Sequence, residues 1–161
     1  MSQEIFAALM IAALLWPLAL VLREPLMAAL VGRGEVRFPL DPLWATAPLP
    51  ALVLALLGGD GSLALSAWLL GGVWVLDEPR RLLLGFTALL WLLAGWYARG
   101  YLAGDGERAV AGNDRAASRL ARFALLWPLT LTGNLLLLLA EDIASFYLGF
   151  AVMTFAAYGL V

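Results

Sequence analysis

The chain has no histidine and no cysteine, and all ten of its basic residues are arginine. Without imidazole or thiolate, most soft-metal, haem, iron–sulfur and thiol-nucleophile chemistry lacks its ligands. The missing cysteine leaves the redox compartment unmarked. Charge is scarce as well: 14% of the 161 residues are charged, and twelve acids against ten arginines leave a net charge of −2. No basic excess exists to hold a nucleic acid. Glycine-rich phosphate loops, metal-ligand spacings and catalytic triads are missing too. The sequence therefore predicts no metal, no cofactor and no small-molecule ligand.

What fills the chain instead is apolar. Hydrophobic residues make up 63% of it, and its mean hydropathy is +0.90. Soluble domains run at about 45–50% apolar and about 25% charged. The composition predicts an integral membrane protein, and the length predicts a single membrane domain over residues 1–161. The start, Met1-Ser2-Gln3-Glu4, carries an acid and no base. The apolar run that follows reaches Leu22, longer than a signal-peptide core, so it reads as a first transmembrane helix.

A helix needs about 20 apolar residues to cross roughly 30 Å of hydrocarbon. On that measure the expected fold is an all-α bundle of about five spans, at 5–22, 44–57, 82–102, 119–140 and 143–161. Pro17 and Pro128 should bend the first and fourth, because proline removes a backbone donor and a neighbour must satisfy the freed carbonyl. The second span is short and carries Pro48 and Pro50 near its start. Residues 25–43 read as a connector with a turn at Pro39-Leu40-Asp41-Pro42, and 104–118 as a polar solvent loop. Between the second and third spans, two β-friendly runs flank Gly71-Gly72 and suggest a hairpin at the membrane surface. The competing reading is an extra span over 63–76. The last span runs out at Val161 with no polar residue after it, which reads as the front part of a longer subunit.

The arginines choose between these readings. With five spans, Arg23, Arg33, Arg37, Arg99, Arg108, Arg115, Arg119 and Arg122 share one side, and Arg80 and Arg81 the other. Basic residues concentrate in cytoplasmic loops. That places the connector and the polar loop in the cytoplasm and the N-terminus outside. A crossing at 63–76 would erase the bias, so the hairpin is preferred.

An ionisable side chain deep in a span costs at least about 2.5–3.5 kcal/mol on insertion scales and so marks function. The interiors of the five expected spans contain no Asp, Glu, Lys or Arg. The nearest acids are Glu141 and Asp142. They read first as a polar turn, and alternatively as the entrance of a proton path continuing through Asn134, Thr130 and Thr132. Those three more often bond locally within a bundle. Gly100 to Gly104 matches a Gly-x-x-x-Gly dimerisation pattern at a span end. Leu-Leu-Trp-Pro-Leu occurs twice, at 14–18 and 125–129, which reads as coincidence in so leucine-rich a chain.

The stretch from Leu129 to Val161, including Leu129-Thr130-Leu131-Thr132-Gly133-Asn134, Glu141-Asp142 and Phe146-Tyr147-Leu148-Gly149-Phe150-Ala151-Val152-Met153-Thr154, resembles the fourth and fifth helices of the antiporter-like, proton-translocating subunits. These occur in respiratory complex I, multisubunit sodium/proton antiporters and membrane-bound hydrogenases. Thr87-Ala88-Leu89-Leu90-Trp91 and Tyr97-Ala98-Arg99-Gly100-Tyr101-Leu102 resemble the family's third helix and its cytoplasmic exit. The likeness covers about residues 76–161, and the family also places its N-terminus and β-hairpins outside. It implies a non-catalytic membrane subunit of an NADH-quinone oxidoreductase-like or antiporter complex in the bacterial cytoplasmic membrane. Its partners would be the lipid bilayer and the other subunits, with coupling supplied by a redox or carbon-handling partner. The family's fifth helix carries a glutamate that pairs with a lysine two helices later. Here that position is Ala151, and no lysine exists. The rival expectation is therefore a non-transporting structural or assembly subunit. A membrane-embedded enzyme would need clustered His, Asp or Glu at the membrane face.

Overall fold

The computed structural model describes residues 2–31, 43–66 and 71–161. Its elements, in order, are helix α1 (Gln3–Val31), a 3-10 turn (Trp44–Thr46), α2 (Leu49–Leu57), strands β1 (Gly61–Leu65) and β2 (Gly72–Leu76), α3 (Glu78–Tyr101), α4 (Ala103–Val110), α5 (Asp114–Leu139) and α6 (Ile143–Leu160). Helices α3, α5 and α6 open on one device. Asp77, Asn113 and Asp142 stand in extended backbone and accept the N–H three residues on, from Arg80 at 2.9 Å, Ala116 at 3.1 Å and Ser145 at 2.7 Å. A short polar side chain there satisfies a donor that every helix start leaves open.

Among the described residues, four helices are long and apolar enough to cross a membrane: α1 over Gln3–Arg23, α3, α5 and α6. They are compatible with an integral membrane protein and match four of the five expected spans. The expected second span, 44–57, is different. It is a 3-10 turn followed by a nine-residue helix, about 14 Å of rise and half of what a crossing needs. Pro48 and Pro50 lack the N–H groups that would continue one helix through the segment, and α2 restarts on them.

Two connections also differ from expectation. Helix α1 runs on through Arg23-Glu24 to Val31; charge ends its apolar window without ending its backbone hydrogen bonds. The stretch 104–118 is not an open loop. Most of it belongs to α4 and the first turn of α5. Asp105 draws them together by pairing with Arg108 at 3.0 Å and Arg119 at 3.2 Å. Gly112, at φ +88°, supplies the left-handed residue that the reversal needs. The expected turn at Pro39 to Pro42, with Arg33 and Arg37, lies outside the described residues.

The hairpin expected around Gly71-Gly72 is present and antiparallel, with Leu63 opposite Trp74 and Gly61 opposite Leu76. Its period of two is visible in burial: Gly72, Trp74 and Leu76 face inward, and Val73 and Val75 are half-exposed. It covers one end of the bundle. Gly61 lies against the ring of Phe6 at the start of α1, and Trp74 bridges to Ala140 at the end of α5. The other end holds α4, the start of α5 and the last turns of α3 and α6.

Helix α5 is the most buried of the four long helices. It meets α6 backbone to backbone. A Cβ on Gly133 would stand 2.4 Å from the Met153 nitrogen, and one on Gly149 would stand 2.7 Å from the Leu137 nitrogen. On another side of α5, Trp127 lies between two rings, Trp44, tilted against it with centroids 4.3 Å apart, and Trp91, which meets it edge-on at 4.7 Å. Pro128 leaves the carbonyl of Ala124 without its helical donor. The buried indole N–H of Trp44 donates to that carbonyl at 3.2 Å. The two Leu-Leu-Trp-Pro-Leu copies thus converge on the same turn. Trp127 stacks on Trp44, and Trp16 donates to the Thr46 hydroxyl at 3.1 Å.

Two consequences are measurable in detergent-micelle unfolding. Gly133→Ala should cost about 1–3 kcal/mol, the usual penalty for overpacking, whereas Gly100→Ala, with open space around its Cβ, should cost nothing. Trp44→Phe strands a buried carbonyl and should cost about 1–3 kcal/mol. The same change should cost less in a Pro128→Ala background, because the helix then supplies its own donor to Ala124.

Candidate functional site

The end capped by the hairpin is where charge and backbone meet. The turn between α5 and α6 presents Glu141 and Asp142 to the outer edge of β2. Both main-chain groups of Val73 are taken there. Its N–H donates to Asp142 Oδ2 at 3.0 Å, and its carbonyl accepts from the Glu141 N–H at 2.9 Å. An unpaired strand edge is a pairing hazard, and this turn closes it. Asp142 Oδ1 meanwhile caps α6 through Ser145. One carboxylate therefore fastens the hairpin to the helix.

Arg80, in the first turn of α3, pairs with Glu141 and lies 3.8 Å from Asp77. Arg81 reaches back to the Gly58 carbonyl at 3.2 Å and Asp60 at 3.4 Å. The ends of α2, β1, α3, α5 and α6 are thus tied by six charged side chains. These pairs are partly exposed, and such pairs contribute about 0–1 kcal/mol each. Their value is geometric.

The arrangement bears directly on proton transfer. The Ser145 backbone N–H holds the Asp142 carboxyl below the usual carboxylate range, against a smaller opposing effect of burial; the Ser145 hydroxyl and the Val73 N–H add to the lowering. Donors aimed at a carboxylate favour its ionised form.

The residues expected to continue a polar track do not join it. Thr130 donates to the Leu126 carbonyl at 2.8 Å, and Thr132 to the Pro128 carbonyl at 3.0 Å. Each hydroxyl is thus engaged one turn back along its own helix, a local habit of such residues. Asn134 donates to the Met153 sulfur at 3.6 Å, across the α5–α6 contact. Ala151 is half-buried on α6. Among the described residues, no group of three or more His, Cys, Asp or Glu could hold a metal ion. The sequence reading missed the double use of Asp142 and the repair of Ala124 by Trp44. Gly133 and Gly149, small residues inside leucine-rich helices, were the available signal for the α5–α6 contact.

No protein-family model matches the chain, and neither the curated proteins nor the solved structures contain a match.

The clamp makes a pH prediction with a definite sign. A carboxylate whose folded pKa is lowered contributes stability above its unfolded pKa and loses it as the pH falls through the folded value. Thermal stability in micelles should have a component that is constant from pH 7 to about 5 and declines below about pH 4. Asp142→Asn, which still caps but does not titrate, should lack that component.

Proposed function

We propose that the chain is a scaffold subunit of an ion-translocating membrane complex of the antiporter-like type, contributing packing and an outer surface and not itself conducting protons. The observation that supports this best is the commitment of Glu141 and Asp142. They form the turn that follows α5, and both are engaged in holding the hairpin and the helix ends together. The resemblance of residues 76–161 to antiporter-like subunits suggests the type of complex. In this reading the end with α4 and its arginines faces the cytoplasm, and the hairpin and N-terminus face outward. Proton movement and catalysis belong to partner subunits.

A second reading, a structural or assembly subunit of a complex that does not transport, draws on Ala151. Where antiporter-like subunits carry the switching glutamate, this chain has a methyl group.

The purified chain in proteoliposomes under an imposed pH gradient should leave proton flux at the level of protein-free vesicles. Flux above that level that Glu141→Gln or Asp142→Asn abolishes would overturn the proposal. Affinity isolation from the native membrane separates the two readings, because the first expects redox or antiporter subunits to come with the chain.

A further inference from the structure

At the end opposite the hairpin, α4, the start of α5 and the last turn of α6 enclose a cleft of about 570 Å³. Three guanidinium groups line it, those of Arg108, Arg119 and Arg122, against the side-chain carboxylate of Asp105, and Val161, the last residue of the sequence, lines it too. Asp105 is largely buried and is shared between Arg108 and Arg119. Arg122, one turn further along α5, has no ion pair or hydrogen bond among the described residues. Past these charges the wall turns apolar, with Phe123 and Leu160.

The level of the cleft along the bundle is marked independently. Tyr101 lines it, and Trp96 and Tyr97, one turn earlier on the outward face of α3, are exposed. Tyr97 stacks on Tyr101, and Arg99 lies over the Trp96 ring. Exposed tyrosine and tryptophan gather where headgroups meet hydrocarbon. A site with surplus guanidinium at that level and apolar wall beside it matches one ligand in two parts: an anionic headgroup and the acyl chains below it. Basic pockets between helices on the cytoplasmic side suit such headgroups. Arginine is also the residue best shaped to grip a phosphate with two hydrogen bonds.

We propose that the cleft between α4, α5 and α6 binds the phosphate headgroup of an anionic phospholipid, with Arg122 as the free anchor and Arg108 and Arg119 flanking it. The proposal rests on the chain lying in a bilayer and is independent of the antiporter-like reading.

Native mass spectrometry of the full chain released from micelles tests it, with phosphatidylglycerol and phosphatidylcholine as probes. Phosphatidylglycerol should bind in a saturable first site, and phosphatidylcholine should not. Each interfacial arginine contributes about 1 kcal/mol toward anionic lipid, so Arg122→Gln should weaken that site about fivefold. Arg115→Gln, at the same end but outside the cleft, should change it less than twofold. Arg108→Gln serves as a second variant, read beside an unchanged thermal midpoint. Millimolar inorganic phosphate should fail to displace the lipid, because it gains nothing from the apolar wall. Equal binding of the two lipids overturns the proposal. So does an unchanged affinity in both cleft variants, or displacement of the lipid by phosphate, which would assign the cleft to the free anion.

Discussion

A carbonyl shut away from water must find a donor inside the protein. Pro128 creates such a carbonyl at Ala124, in the most buried helix of the chain. The donor that answers it comes from Trp44, eighty residues earlier. That single bond explains much about the short segment between α1 and the hairpin. The segment has to bring an indole N–H to a fixed height on α5, so it starts as a tight 3-10 turn with Trp44 and Ala45 buried. From there α2 descends along α3, with Ala45 near Gly95 and Ala55 near Gly85. Small residues on both sides allow that approach. A full-length span at this place would have to displace the Trp44–Trp127–Trp91 ring cluster, part of the buried core.

The same accounting of backbone groups governs the hairpin end, with charge now taking part. A two-stranded sheet has two open edges. The α5–α6 turn closes the β2 edge by supplying a donor from Glu141 and an acceptor from Asp142. Because Asp142 also caps α6, one carboxylate satisfies the Val73 N–H of the hairpin and the Ser145 N–H of the helix. Arg80 and Arg81 then fix the turns on either side. A proton relay needs a carboxyl whose protonated and ionised forms are close in energy. Asp142 accepts from donors that also fasten the hairpin and the start of α6. The oxygens that fasten the fold are the ones a proton would have to take.

Much of this architecture was legible in residues 1–161 because it rests on patterns that sequence carries directly. Four long apolar runs became four long helices. The two β-friendly runs around Gly71-Gly72 became strands. Three features were not legible. The run 44–57 is apolar enough to suggest a span, but its conformation is decided by prolines and by a tryptophan whose partner lies on a distant helix. The polar run 104–118 suggested a loop, yet Asp105 needs Arg119, from the next helix, to fold α4 against α5. The repeated Leu-Leu-Trp-Pro-Leu looked accidental, since nothing local shows that both copies reach one turn. In each case the deciding interaction joins residues far apart in sequence, and a pattern read along the chain does not contain it.

The distribution of polarity completes the physical picture. The middle of the bundle satisfies its polar side chains internally: threonines on their own helices, Asn134 on a sulfur of α6, indoles on a hydroxyl and a carbonyl of other elements. The charged groups stand at the two ends and do different work there. At the hairpin end each arginine meets carboxylates or a carbonyl that it also positions. At the α4 end the guanidinium groups of the cleft outnumber the side-chain carboxylate facing them. Internal pairing fixes a shape, while unbalanced charge leaves a field for something else to fill. Between the ends, α3 and α6 turn leucines and aromatic rings outward, from Leu82 to Trp96 on one and from Phe146 to Phe155 on the other. A chain whose outer faces are apolar, whose interior polar groups bond to one another and whose surplus charge lies at one rim is shaped by its surroundings as much as by its core.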